Sequence, residues 1–592
     1  MPDPQLALAS ALAAAIGQAF GPEWAGTDPV VRPASRGRGD YQANGAMALA
    51  KQLGLAPPEV AQRIVAHLDV GAICSAVEVA GGFVNLTLAD EWLAAQATAL
   101  LADPRVGVRS VAQPETVVVD YSSPNLAKEM HIGHLRSTVI GDAIVRVLEL
   151  VGHRVIRQNH VGDWGTQFGM LVEHLAETGW GDLGETQRHI SDLNVLYQQA
   201  NERFNADPEF AARARHRVVA LQGGDPATLV VWRELVAESE RHFEVVYERI
   251  GVLLTRDDIR GESFYNELLA GVAAELEEAK IAVVDDGALC VFAPGFVGRD
   301  GEPLPLIVRK SDGGYGYAAT DLAAIRYRLR DLDARRVVYV VDARQSQHFA
   351  MLFAVARMAG WLVEGDRADH VAFGTILGAD GRPFKTRSGD TPRLAELLDE
   401  AVSRASGVVA EKNPGLAGDE RDQVARAVGI GAVKYADLAS DRIKDYVFDW
   451  DRMLSFDGNT APYLQYAYVR IRGIFRRAAE EDGSAVTGAA PEVEIEIEIE
   501  IVLVEPQERA LALALLQFDG AVQTVADTLQ PHRLCTYLFD LAQLFTAFFE
   551  ACPVLRAPTP EIRASRLALC AATARVLSAG LELLGIEYVE RM

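Results

Sequence analysis

Cysteine is scarce. The chain has five in 592 residues (Cys74, Cys290, Cys535, Cys552 and Cys570), and none forms a C-x-x-C pair. That excludes a disulfide framework and points to reduced, mostly buried thiols. Cysteine and histidine nowhere share zinc-ligand spacing, so no structural zinc or other protein-bound metal is expected. No run of about 18 uncharged apolar residues occurs, which argues against a membrane span. The apolar N-terminus (Leu6, Leu8, Leu12, Ile16) lacks the basic start of a secretory signal and carries Asp3. Positive charge is in deficit too: 57 Lys and Arg stand against 82 Asp and Glu, a net charge of −25. A generic nucleic-acid coat would be basic, so that class is excluded, although docking of a nucleic acid on local basic patches is not. What remains is a cytoplasmic protein of ordinary globular composition, 49% apolar and 23% charged. Its length suggests roughly three to five domains.

Residues 1–112 read as a first α+β unit. A helix-period segment (Leu6, Leu8, Leu12, Ala15, Ile16) opens it, a helix is expected from Tyr41 to Leu53, and Phe83–Leu88 alternates like a strand. Residues 113–415 read as α/β. Val117-Val118-Val119-Asp120-Tyr121 is the short apolar run of a fully buried strand. A polar loop follows, then a helix (Leu135, Val139, Ile140, Ala143, Ile144, Val147, Leu148) ended near Gly152, then a strand at Val155-Ile156. Strand, helix, strand implies a parallel sheet. A second such unit runs through Val337–Val341, Phe349–Met358 and Val371–Phe373, so the domain is expected to be a doubly wound, Rossmann-type nucleotide fold split by a helical insertion at about 180–304. Such folds bind ligands at the carboxyl ends of their strands. Residues 416–592 read as all-helical. The exception is the alternating Glu492–Ile501, expected to be a strand within a surface insertion at about 480–505 that holds nine acids and no Lys or Arg.

The loop after the first strand carries the densest chemistry, Ser122-Ser123-Pro124-Asn125-Leu126-Ala127-Lys128-Glu129-Met130-His131-Ile132-Gly133-His134. Two imidazoles at a helix N-terminus suit a phosphate, because the dipole and free N–H groups there favour anions. They can donate to phosphate oxygens as charge builds, and Gly133 clears room for a nucleotide. Two helix-capping histidines would look the same in isolation; the position after the first strand favours the phosphate reading. In the C-terminal region Tyr466–Arg477 has four arginines, no acids and interleaved aromatics. That is the usual chemistry of RNA loop recognition, though Tyr466 and Tyr468 suit an inward-packing face equally well.

These motifs resemble the class I aminoacyl-tRNA synthetases, and among them the arginyl-tRNA synthetase family. The resemblance rests on H-I-G-H with Ser123-Pro124-Asn125 and Lys128, on Asn159–Gly169, on Asp40-Tyr41-Gln42 with Asn44, and on Tyr317–Asp321. Asn459–Tyr466 and the closing Leu583–Ile586 with Met592 extend it over essentially the whole chain. It implies ATP-dependent activation of L-arginine to arginyl-adenylate and transfer to the terminal adenosine of tRNA(Arg). His131, His134 and Lys128 are then catalytic and supply charge neutralisation, and His131, Gly133, His134, Lys385 and Arg387 contact ATP, which comes with magnesium. Asn125, Glu262, Tyr317, Asp321 and Gln345 hold arginine, since a guanidinium matches a carboxylate bidentately. Tyr41, Asn44, Tyr463, Gln465, Arg470 and Arg472 meet tRNA. The second signature, Asp380–Gly389, departs from K-M-S-K-S in its second lysine, for which Lys128 compensates in that family. The resemblance further implies a monomer whose arginine activation requires tRNA. Two other readings are weighed against it. One is a ligase or adenylate-forming enzyme of the same superfamily with another amino acid or acceptor; the other is a non-catalytic tRNA-binding relative, which should have lost the histidine pair.

Overall fold

The computed structural model describes residues 3–34, 38–126, 128–179, 190–298, 300–384, 392–416, 418–482 and 500–592. At its centre lie four parallel strands: β1 (Thr116–Asp120), β2 (Arg154–Gln158), β3 (Arg336–Tyr339) and β4 (Arg367–His370). Their order is β4-β3-β1-β2. Val117, Val118 and Val119 are fully buried between neighbours and helices on both faces, which is why β1 reads as an unbroken apolar run. The helix Ile132–Leu150 crosses from β1 to β2, and Ser346–Met358 from β3 to β4. The winding reverses between β1 and β3, so the loops leaving their carboxyl ends diverge and open a crevice there.

Between β2 and β3 run the helices Thr166–Thr178, Ile190–Ala206, Pro208–Gln222, Pro226–Ile250 and Asn266–Glu278. The expected helical insertion does not stay helical. It closes with a three-stranded antiparallel meander, Val283–Asp285, Ala288–Val291 and Leu306–Arg309. Strands of three or four residues are too short to show a period.

The N-terminal unit is a four-stranded antiparallel sheet (Val31–Pro33, Tyr41–Ala43, Phe83–Leu88, Cys74–Ala80, in that spatial order) under helices. The single helix expected from Tyr41 is therefore a strand and then a helix, Gly45–Leu53. Tyr41 and Ala43 point inward and Gln42 bonds across to Asn85 at 2.8 Å. This unit docks on the C-terminal helices. Arg509 grips Asp40 bidentately at 2.8 and 2.7 Å, and Gln517 donates to the Tyr41 hydroxyl at 3.2 Å.

The C-terminal region is built of Gly418–Leu438, Ala461–Glu481, Pro506–Leu516, Phe518–Thr528, His532–Ala551 and Pro560–Leu583. A two-residue strand, Tyr446–Val447, returns to pair with Ile376–Leu377 near the second signature. The expected Glu/Ile strand lies outside the described residues except for its end, where Ile501 is buried and donates to Thr98 Oγ1 at 3.0 Å. All five cysteines are free and buried. Among the described residues no helix is long and apolar enough to cross a membrane.

Candidate active site

The loop leaving β1 is strained at its first two steps. Ser122 and Ser123 have φ of +72° and +47°, conformations that cost a non-glycine residue of order 1 kcal/mol each or more. Surrounding bonds hold them there. Ser122 N–H donates to Ser137 Oγ at 2.9 Å, Ser122 Oγ meets the Tyr247 hydroxyl at 2.7 Å, and Ser123 N–H donates to Asn159 Oδ1 at 2.9 Å. Ser123 Oγ also donates to Asp120, which a fully buried Arg328 pairs at 2.8 Å. The turn thus throws the signature segment across the crevice mouth.

His131 caps the helix Ile132–Leu150 and His134 completes a capping box. His131 Nδ1 accepts from Gly133 N–H at 3.0 Å, and His134 Nδ1 accepts from His131 N–H at 3.1 Å. Capping and phosphate chemistry are thus not rival readings here. With both Nδ1 atoms accepting, each ring must carry its proton on Nε2 and present one N–H donor. Burial, then Lys128, hold His131 below its usual range, and burial together with His131 brings His134 down to about 3. Both rings are therefore neutral near pH 7. Without a ligand the histidines thus offer oriented dipoles, and the formal charge beside them is that of Lys128, whose ammonium lies 4.4 Å from the Tyr197 ring centre. Gly133 also has a nearer purpose than clearing room for a nucleotide. A Cβ there would stand 2.8 Å from His131 Cε1 and 2.9 Å from Nδ1, so only glycine lets the cap fold back.

Beyond the histidines the crevice turns acidic. Asn125 bridges to Gly162, whose Cα lies so close that a Cβ would sit 2.2 Å from Asn125 Oδ1. Asp163 is buried beside Gly261 and accepts from Ser263 N–H at 2.9 Å. Burial, with Asp163 and Asp321 as like-charged neighbours, pushes the Glu262 carboxyl up to about 8. Asp321 meets His348 Nε2 at 2.6 Å, and that bond raises the imidazole above its usual range. Tyr317, one helical turn before Asp321, is 78% exposed. Gln345 is exposed at the end of the loop from β3, three residues before His348. Asp163 and His348 are site residues that sequence reasoning did not single out. His160 is another: its Nδ1 is buried without a hydrogen-bond partner among the described residues, with the ring 5.4 Å from that of Tyr265.

The H-I-G-H segment meets the chain just past the second signature. Ile132 N–H donates to Pro392 O at 3.1 Å, Leu394 N–H to Met130 O at 2.8 Å, and Arg393 pairs with Glu129 at 2.8 Å. Lys385 and Arg387 lie outside the described residues.

Three sequence families cover this architecture in order: the arginyl tRNA synthetase N-terminal domain at residues 6–88, the class I (R) tRNA synthetase catalytic domain at 96–450, and the DALR anticodon binding domain at 464–592. An arginine–tRNA ligase of Thermobifida fusca is 55% identical over 593 aligned residues, spanning all of both chains. The chain belongs to the arginyl-tRNA synthetase family. A Frankia casuarinae arginine–tRNA ligase is 53% identical, covering 98% of this chain and 97% of its own. Arginyl-tRNA synthetase structures from Plasmodium falciparum (29% identity, TM-score 0.83, all of both chains) and Thermus thermophilus (28%, 0.81, 99% of this chain and all of that one) share the fold.

The residues expected to meet tRNA in this arginyl-tRNA synthetase homologue fare unequally. Tyr41 is 1% exposed in the interdomain latch, and Gln465 is fully buried, donating to Ala427 O at 3.0 Å and Glu587 O at 2.7 Å. Neither presents a surface to RNA; both serve packing between elements. Asn44 is half-buried with Oδ1 unpartnered. Tyr463 is half-buried against Phe539. Arg472 is paired with Glu590 at 2.6 Å. Arg470, by contrast, lies over the rings of exposed Tyr466 (5.1 Å) and half-buried Phe549 (5.3 Å), and Lys412 lies 5.7 Å over Phe456, itself edge-on to Tyr466. Phe549, Phe456 and Lys412 come from three separate segments, so no sequence window joins them to Arg470.

Proposed function

We propose that the chain is an arginine–tRNA ligase that forms arginyl-adenylate from L-arginine and ATP and passes the arginyl group to tRNA(Arg). The observation that supports arginine most directly is the Glu262 carboxyl, half-buried with like-charged Asp163 and Asp321 for company. A guanidinium entering there supplies the missing cation, with bidentate geometry open to it. Asn125 and Gln345 hold the amino-acid head group, and Tyr317 closes over the side chain.

The arginine carboxylate attacks the α-phosphate of ATP, which enters as its magnesium complex. The bond to the bridging oxygen breaks, and pyrophosphate leaves. The Nε2–H groups of His131 and His134 donate to the phosphoryl oxygens as charge accumulates, worth about 10²–10³ in rate per donor. Lys128, Lys385 and Arg387 neutralise the phosphates. The ribose hydroxyl of the terminal adenosine then attacks the activated carbonyl and AMP departs. Arg470 with Tyr466 receives an unstacked base, and the enzyme works as a cytoplasmic monomer. Charging assays with purified tRNA and arginine, lysine or citrulline test this: only arginine should be esterified, and pyrophosphate exchange should need tRNA. Equal charging by citrulline, which lacks the cation, would overturn the acid-pocket reading.

A further inference from the structure

The signature helix Ile132–Leu150 packs against Gly418–Leu438, the first helix of the C-terminal region, and their contact holds charge where apolar side chains would be expected. Arg136, five residues past His131, pairs with Asp437 at 3.2 Å, the two side chains 1% and 0% exposed. The Arg136 guanidinium also donates to Lys444 O at 3.1 Å and lies between the rings of Phe373 (5.8 Å) and Tyr446 (5.2 Å). Further along, Asp142 and buried Lys434 both lie beside Gly585, but Asp142 pairs with Arg146 of its own helix at 2.8 Å and Lys434 donates to Ile250 O at 2.7 Å. Replacing a buried pair by apolar groups is often neutral or stabilising, so stability alone does not account for these charges. A buried charge pair does set one register between the helices.

Beside that pair, Arg136 Nη2, Asp437 Oδ2 and the Tyr446 hydroxyl are buried together, the hydroxyl already within reach of the Asp437 carboxylate. Tyr446 cannot move alone, because Tyr446–Val447 is paired with Ile376–Leu377, the strand that leads into the second signature. Arg136 in turn sits on the helix that His131 caps.

We propose that Arg136, Asp437 and Tyr446 form a positioning relay, through which the seating of the C-terminal helices sets both ATP-contacting segments at once. Through Tyr446 the cluster ties strand Ile376–Leu377 to the helix Gly418–Leu438, while Arg136 holds the histidine helix in register. This rests on the ligase reading above and adds residues that touch no substrate. Coupling carried by residues of this kind is typically about 0.5–2 kcal/mol, or about two- to thirtyfold.

The test uses the full chain, ATP, arginine and a tRNA(Arg) transcript, measuring kcat and KM for ATP in pyrophosphate exchange beside tRNA affinity and thermal melting. Tyr446→Phe, which removes one hydroxyl, should lower kcat by about two- to thirtyfold with tRNA affinity and melting as in wild type. The paired change Arg136→Met with Asp437→Leu should melt near wild type and show a similar loss. If the pair does not fold, Tyr446→Phe alone decides. Wild-type kcat in Tyr446→Phe, or a loss that follows tRNA affinity or melting, overturns the relay. Absence of exchange in the wild-type chain sinks the ligase reading and the relay with it, whereas wild-type exchange with an unaffected variant sinks the relay only.

Discussion

The histidine corner and the acid pocket share one crevice and are built on opposite principles. In the histidine corner each ring has one nitrogen occupied by backbone, both imidazoles are neutral, and the one free donor on each is fixed in direction. In the acid pocket Glu262 is crowded by carboxylates and held mostly protonated at pH 7. The first is finished before any ligand arrives and answers charge that develops during reaction. The second is unfinished until a cation completes it. Preorganised dipoles act on kcat and an awaited counter-charge acts on binding, so the two regions should separate in kinetics.

The sharpest way to break that contrast is His134→Ala. It should lower kcat of adenylate formation by about 10²–10³ and leave the KM for arginine near wild type, read in pyrophosphate exchange. Glu262→Gln should do the reverse, raising the arginine KM by about ten- to a hundredfold, the size of a charge-assisted hydrogen bond, with a smaller change in kcat. Gly133→Ala comes next. Its Cβ must displace the His131 ring, and an overpacking cost of about 1–2 kcal/mol predicts a fall in kcat of about tenfold, with the fold retained by circular dichroism.

Acidity sharpens the comparison further. Unliganded Glu262 is mostly protonated below about pH 8, and a bound guanidinium favours the ionised form, so arginine binding at pH 7 should release a proton. Arginine affinity should therefore weaken as pH falls from 9 to 7, by at most about tenfold per unit, while the histidines, already neutral, leave kcat flat. Calorimetry in two buffers of different ionisation enthalpy measures the proton; its persistence in Glu262→Gln would place it elsewhere. The smallest effect concerns the RNA face: Arg472→Ala should shift the tRNA KM by less than about threefold, since its partner is the exposed Glu590, whereas Arg470→Ala should shift it more.

The central sheet and the signature helix were legible in the sequence because burial on both faces and a 3.6-residue period leave marks in consecutive residues. The histidine pair was legible for the same reason, being local. Its charge state was not, since neutrality comes from burial and from which nitrogen the backbone occupies. Tyr41 reads as an RNA contact, yet its partner Gln517 lies more than 460 residues away, as does Arg509 from the neighbouring Asp40. Arg136 did leave a signal, as a charged residue next to the apolar face of its helix, but Asp437 could be matched to it only in space. The break between strand and helix at Asn44 was missed because three residues are too few to establish a period.

The acidic stretch in the C-terminal region has a consequence for chain length. On its near side Asp482 pairs with Arg563 at 3.2 Å, and on its far side Val502 N–H donates to Ser565 Oγ at 2.8 Å. Both anchors stand on one helix, two residues apart. Closing a loop on such fixed posts costs only about 0.6 kcal/mol more for each doubling of its length. Asp482 and Val502 are thus held by one helix whatever joins them, and a change in the length of chain between them leaves both posts standing.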